Sequence, residues 1–242
     1  MQKSEQEKDN SRILVIPDLH FPYAHPDSID FLIKLKHTLQ PTRIICGGDE
    51  LDYHAMSFHD SDPDLDSSGT ELLRGLGYID TLFKTFPEMD IMESNHGSMA
   101  YRKAKHHGMP RHLLKSYNEV LGVDHNWRWH DKLIINLPDG NKCCFAHSLG
   151  ADVLRASQSI GMSLVQFHHH SQFELRYWQN HHTLNFAITS GCLIDDTSYA
   201  FAYNKLQIKR PIMGVVFIEN SLPYLIPMIT KEGRWIGTRI ER

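Results

Sequence analysis

Five short apolar runs in this chain each end on side chains of the kinds that bind metal ions. Residues 13–16 lead into Asp18-Leu19-His20, and residues 43–46 into Gly48-Asp49-Glu50-Leu51-Asp52. Residues 89–92 lead into Asn95-His96, 143–146 into His147, and 164–167 into His168-His169-His170. Runs of this length and composition, rich in β-branched and apolar residues, read as buried strands. Open α/β sheets place their chemistry at strand ends.

The intervening texture supports the strands. Residues 26–40 predict a helix, with Ile29, Phe31, Leu32, Leu35 and Leu39 at roughly helical spacing. With strands at 12–17 and 42–47 on either side, that helix predicts a parallel pair joined by a right-handed crossover. Further helices are expected at 70–86, 98–107, 110–121 and 151–160, the third opened by a proline suited to a first turn. Residues 132–137 and 142–145 flank Pro138-Asp139-Gly140-Asn141 and predict a hairpin. Strands are also expected at 183–189, 212–219 and 223–228, and Trp127 and Trp129 alternate on another, where core packing is favoured over base stacking. Periodicity alone carries this no further than α/β or α+β.

Composition excludes several classes. Of 242 residues, 41% are hydrophobic and 22% charged, and no apolar stretch approaches the ~20 residues that span a bilayer. The first eleven residues are polar and lack the apolar centre of a secretory signal, so 1–11 read as a flexible segment before a single domain over 12–242, in a cytoplasmic protein. Four cysteines suggest buried hydrophobes and no disulfide framework. A net charge of −4 provides no global field to gather polyanions, so nucleic acid would need a local basic patch. The 17 histidines exceed what ligand duty alone would use.

In order and type, the five strand-end motifs resemble the calcineurin-like metallophosphoesterase family, whose pattern runs D-x-H, G-D-x-x-D, G-N-H-(D/E), H, G-H-x-H. The likeness covers roughly residues 12–200. It implies a mixed α/β fold in four layers, two mixed β-sheets packed face to face and flanked by helices. It also implies two divalent metal ions, one held by Asp18, His20, Asp49 and His170, the other sharing Asp49 and adding Asn95, His147 and His168. Strand alternation would aim Asp18 with His20 and His168 with His170, leaving His169 to face away. The glycines before Asp49 allow a sharp turn. By the same resemblance His96 is the general acid and Asp52 the carboxylate that orients it; the alternative for Asp52 is a helix N-cap. Metal-bridging hydroxide would be the nucleophile, and two ions set against Asp18, Asp49 and hydroxide leave about +1 facing the phosphoryl group. Manganese is the first choice, as the ligands mix carboxylate, amide oxygen and imidazole without thiolate, with zinc, iron and nickel as alternatives.

Three positions depart from the pattern: Ser94 and Phe167 replace glycines, and Gly97 replaces an acidic residue. Phe167 needs room that the family pattern leaves empty. Tyr53 stands where phosphoprotein phosphatases of the superfamily have arginine, and Asp52 where its repair nucleases have histidine. Tyr101-Arg102-Lys103-Ala104, Tyr117 to Gly122, Gly191 to Asp195 and Ala200 to Lys205 resemble phage-encoded or prophage-type members, which would place the chain in a host cytoplasm. The implied substrate is a phosphodiester or phosphomonoester, nucleotide-like by preference; nucleic acid is a less favoured partner, and no membrane is involved. Alternatives are a metal-dependent DNA or RNA nuclease and a catalytically impaired metal-binding interaction protein. His54, Tyr101 and Arg102 are candidate substrate contacts, against the reading of a solvated helix face for the last two; His59 also follows the Asp49 motif. Asp60, Asp62, Asp64, Asp66, Ser68 and Glu71 match the oxygen positions of a calcium loop, but Leu65 occupies the position that requires glycine and Pro63 stiffens the chain. A solvated acidic loop is the favoured reading there.

Overall fold

The computed structural model describes residues 8–58, 64–195 and 210–238. In chain order the elements are β1 (Arg12–Ile16), α1 (Ser28–Leu39), β2 (Arg43–Cys46), α2 (Ser68–Thr85), β3 (Met89–Met92), α3 (Met99–His106), α4 (Tyr117–Leu121), β4 (Trp127–His130) and β5 (Leu133–Asn136). There follow β6 (Lys142–Ala146), α5 (Val153–Ile160), β7 (Ser163–Gln166), β8 (Phe173–Gln179), β9 (Leu184–Ser190), β10 (Gly214–Glu219), β11 (Leu222–Pro227), β12 (Thr230–Lys231) and β13 (Arg234–Trp235).

Two mixed sheets form, in the orders β11-β10-β1-β2-β3-β4 and β5-β6-β7-β9-β8, beside a small β12-β13 hairpin. In the first, β1 to β4 are parallel and β10 and β11 antiparallel. In the second, β6, β7 and β9 run parallel between antiparallel edges. Alternation sorts the apolar residues into three layers. Ile13, Val15, Ile45 and Val216 meet Phe145, Val165, Phe167 and Ile188 between the sheets. Leu14, Ile16 and Ile91 face Phe31, Leu32 and Leu35 of α1 and Ile79 and Leu82 of α2. Cys144, Ala146 and Leu164 face Val153 of α5. The result is the expected four layers, helix–sheet–sheet–helix. Cys143 and Cys144 do point to opposite faces, and all four cysteines are buried free thiols. Among the described residues no helix is long and apolar enough to cross a membrane.

Several expectations need correction. The helix expected over 110–121 is a 3₁₀ turn at Arg111–Leu113 followed by α4, because Leu114 is extended (φ −98°, ψ 148°) and Ser116 starts a new helix through a capping box with Glu119. Strand β8 and the β12-β13 hairpin were not expected. Residues 8–11, assigned to a flexible terminus, are engaged: Lys8 Nζ lies 2.9 Å from Asp90 Oδ2, and Asn10 Nδ2 donates to Asn136 O at 2.9 Å. Trp127 and Trp129 pack inward, as expected, the former donating to Phe86 O at 2.8 Å.

Candidate metal centre

The loops that follow β1, β2, β3, β6 and β7 all leave the C-terminal ends of parallel strands, and the sheet packing brings these ends to one edge. Asp18, His20, Asp49 and His170 offer ligand atoms within 4.8 Å of one another, as do Asp49, His147 and His168, so Asp49 belongs to both groups. Asn95 Oδ1 joins the second group, 2.7 Å from His147 Nε2. Every ligand position anticipated in the sequence lies in this cluster.

Strand alternation is not what aims these side chains. β1 ends at Ile16 and β7 at Gln166, and the candidate ligands follow on irregular backbone. His20 (φ 52°), Asp49 (φ 44°) and His168 (φ 70°) all occupy the left-handed region, each at a cost of ~1–3 kcal/mol that the surrounding fold must offset. Gly48 (φ +94°) is the anticipated sharp turn; a Cβ there would lie 2.4 Å from Met92 O. His169 does face away, toward Gly150 O at 3.1 Å.

Hydrogen bonds prepare the cluster for cations. His20 Nδ1 donates to Asp52 Oδ1 at 2.6 Å and His147 Nδ1 to Gly47 O at 2.9 Å, tautomers that turn each Nε2 inward. The inward nitrogens of His20 and His170 sit 3.2 Å apart, within hydrogen-bond distance of each other. Asp18 Oδ2 accepts from His168 N at 2.7 Å and Asp49 Oδ1 from His96 N at 3.0 Å. The other oxygen of each carboxylate, Asp18 Oδ1 and Asp49 Oδ2, is buried with no hydrogen-bond partner among the described residues. Buried carboxylate oxygens without donors are costly. Two such atoms amid inward-turned imidazoles suit the binding of metal ions. Burial opposes ionisation of Asp49, but His147, His20 and His96 outweigh it and hold the carboxyl well below the usual range.

His96 is oriented by residue 52, though not through the expected group. Its Nδ1 donates to the main-chain carbonyl of Asp52, while the Asp52 carboxylate stays 3.7 Å away, committed to His20. The left-handed Tyr53 (φ 52°) follows this carbonyl in the turn. Burial pulls the His96 pKa down, yet Asp49 and Asp52 outweigh it and raise it above the ordinary value.

The three departures from the pattern have local partners. Ser94 Oγ accepts from Asp49 N at 2.9 Å and from Gly97 N at 3.0 Å, so it ties the loop after β2 to the loop after β3. A Cβ at residue 97 would lie 2.9 Å from that oxygen, so serine at 94 and glycine at 97 suit each other. Phe167 fills the space that Gly47 leaves: a Cβ on Gly47 would meet its ring at 2.3 Å. Ser94→Ala leaves two backbone donors without this acceptor, at ~1–3 kcal/mol. Metal affinity is expected to fall about 10–100-fold, as for other groups that orient ligands, in a competitive chelator titration. An unchanged affinity would mean that Ser94 does not shape the site.

Glu50 had no role in the sequence reading beyond its place in the motif. It is buried, its Oε1 accepts from Trp129 Nε1 at 3.0 Å, and burial pushes its carboxyl up to about 7, against the pull of that hydrogen bond. The signal available was a charge between Asp49 and Leu51, where flanking residues are core. A cavity of about 260 Å³ adjoins Asn95, His147 and His168 and is also lined by Glu93, Asp131 and Lys132. Of the candidate substrate contacts, His54 lies beside Asp52, Nδ1 at 3.9 Å from Asp52 Oδ2. Tyr101 and Arg102 contact groups outside the cluster: the Arg111 guanidinium lies 5.2 Å from the Tyr101 ring, and Arg102 meets Phe58 and Met99. In the acidic loop, Glu71 accepts from His54 N and Ala55 N with its two oxygens, and Asp66 pairs with Arg74. Both side chains thus have protein partners. His59, Asp60, Asp62, Pro63 and the 200–205 segment lie outside the described residues.

No family model and no curated protein matches this chain. Among solved structures it is similar to Vps29 of Chaetomium thermophilum, at 12% identity and a TM-score of 0.48, covering 95% of this chain and 92% of that one. It is also similar to Yfce, a phosphoesterase from E. coli, at 9% identity and a TM-score of 0.49, covering 94% of this chain and 97% of that one. Identities this low compare chain paths and not activities.

Proposed function

We propose that this protein is a dinuclear metal-dependent phosphoesterase that hydrolyses a nucleotide-like phosphodiester or phosphomonoester. The observation that carries the reading is the pair of buried oxygens without a hydrogen-bond partner among the described residues, Asp18 Oδ1 and Asp49 Oδ2, amid the imidazoles of His20, His147, His168 and His170. Asp18, His20, Asp49 and His170 would hold one ion; Asp49, Asn95, His147 and His168 the other. Ions bound there supply a nucleophile from solvent at neutral pH and neutralise charge on the phosphoryl oxygens. Manganese suits the oxygen and imidazole donors best.

The chain's own residues do the rest. Asp49 bridges the two groups, and its Oδ1 fixes the main chain at His96. His96, with Nδ1 committed to Asp52 O, presents Nε2 as the proton donor to the departing oxygen. Asp52 holds the His20 tautomer with its carboxylate and the His96 ring with its carbonyl.

Metal-stripped protein is expected to regain turnover of bis(p-nitrophenyl) phosphate or p-nitrophenyl phosphate with Mn²⁺ at two ions per chain, the faster ester separating diesterase from monoesterase. Failure to bind divalent ions overturns the reading; two bound ions without turnover of any ester assigns the scaffold a binding role. His96→Asn is expected to cost about 100-fold or more with an alkyl leaving group and under about 10-fold with p-nitrophenolate, which departs without a proton. Equal losses on both would remove His96 from the role of acid.

A further inference from the structure

From Ser94 to Asn118 the chain carries Arg102, Lys103, Lys105, Arg111 and Lys115 and no aspartate or glutamate. Setting this +5 against the total of −4 leaves −9 on the remaining residues. The basic segment therefore stands out from an acidic protein. Its helix, α3, begins just after His96, with Met99 N donating to His96 O at 2.9 Å, so the positive surface starts at the rim of the candidate centre. Arg102, Lys105, Arg111 and Lys115 are exposed and Lys103 half-buried. Among the described residues Arg111 has a carboxylate nearby, Glu93 at 3.6 Å, while none is paired with Arg102, Lys103 or Lys105.

Aromatic groups are interleaved with these cations. Phe58 is 52% exposed. Lys103 Nζ lies 4.4 Å and Arg102 Cζ 5.3 Å from its ring centroid, and the His106 ring meets it edge-on at 6.4 Å. Exposed rings among cations that have no carboxylate partner among the described residues are the elements that bind a flexible nucleic-acid strand, cations to phosphates and rings to bases. The buried residues of α3, Met99 and Ala104, face inward, so the helix presents no apolar stripe of the kind that enters a lipid surface. Asp18, His20 and Asp49 are at most 1% exposed. A centre so recessed admits a narrow, bendable strand more readily than a duplex.

We propose that α3 and the basic segment following it dock single-stranded nucleic acid, with phosphates on Arg102, Lys103 and Lys105 and a base on Phe58, and lead the strand toward His96. The assignment rests on the phosphoesterase reading and gives it a substrate class, an oligonucleotide phosphodiester. It supplies the local basic patch that a net charge of −4 requires of a nucleic-acid binder.

Docking is read apart from catalysis by fluorescence anisotropy of a fluorescein-labelled oligo(dT) in EDTA, where no metal contributes. Lys103→Ala/Lys105→Ala is expected to weaken binding about 10-fold and to flatten the slope of log K against log salt by about 1.4, two released counterions. Lys84→Ala/Lys142→Ala, the same charge change on exposed lysines elsewhere, should leave affinity within about 2-fold. Phe58→Ala should cost about 5-fold or more through lost stacking. Thermal melts check that each variant is folded. Equal losses in the two double variants, no binding by the wild-type protein at low salt, tighter binding of a duplex, or loss of binding to phosphatidylserine vesicles with oligonucleotide affinity intact would each overturn the proposal. Absence of metal-dependent turnover of bis(p-nitrophenyl) phosphate would instead overturn the phosphoesterase reading, whatever the anisotropy shows.

Discussion

Asp49→Asn is expected to abolish turnover, by on the order of 10³-fold or more, and to halve or eliminate bound metal. The substitution keeps the side chain's size and its Oδ1, so the 3.0 Å contact from His96 N can survive. It replaces Oδ2, which faces His20 Nε2 and His147 Nε2 at 3.4 Å each, by a neutral amide that donates protons. Both candidate ligand groups share this one carboxylate, so a single atom's change would reach both ions of the proposed pair. Bound ions stabilise transition-state charge by several kcal/mol, and each ~1.4 kcal/mol is tenfold in rate. A readout independent of activity is the melting temperature: Mn²⁺ should raise that of the wild-type protein, since the ions bind the folded state, and leave the variant's nearly unmoved. A variant that binds two ions and turns over substrate would remove Asp49 from the bridging position.

The largest expected effect on stability lies away from the centre. Asp90, 1% exposed in β3, accepts from Arg43 Nε and Nη2 at 3.1 and 2.8 Å, from Lys8 at 2.9 Å and from Arg128 Nε at 3.1 Å; His130 Nε2 lies 3.0 Å away. Asp90→Ala would remove the buried carboxylate that the Arg43 and Arg128 guanidinium groups and Lys8 share. Breaking a buried pair from one side costs ~3–5 kcal/mol, or about 10 °C in Tm for a chain of this size. Burial opposes ionisation of Asp90, yet His130, Arg43 and Lys8 outweigh it and hold its pKa far below the ordinary carboxylate value. A depressed folded-state pKa gives stability that is fully present above the unfolded value of about 3.9 and is lost as pH falls through the folded one. Denaturant midpoints measured down the acid limb should therefore drop less steeply in the variant than in the wild type. A loss under about 1 kcal/mol at pH 7 would mean that solvent already screens the cluster.

Much of the fold was legible because its signals are local. Residues 89–92 are β3 at both ends, and α1 lies within the helix expected from the spacing of Phe31, Leu32 and Leu35. Strand β8 was not expected although Phe173, Leu175 and Tyr177 alternate with Glu174 and Arg176; Trp178 breaks the pattern because it is held from the other face of this edge strand, its Nε1 reaching Ser157 Oγ of α5 at 2.8 Å. Nor was Asp90 legible as a hub, since its partners come from residues 8, 43, 128 and 130.

By itself the sequence determined which residue types stand at which strand ends, and in what order, because strand-forming runs and the polar residues that terminate them act over a few positions. Only the tertiary structure decided that these ends converge. His20 meets His170 at 3.2 Å and Asp18 meets His168 N at 2.7 Å across 150 residues of chain, and His147 meets Gly47 O across 100. It also decided that Asp52 reaches His96 by its carbonyl and His20 by its carboxylate, and that three of the candidate ligands sit in left-handed backbone. These contacts depend on two sheets packing face to face. Local propensity carries no information across that distance, whereas burial of the shared apolar layer fixes it.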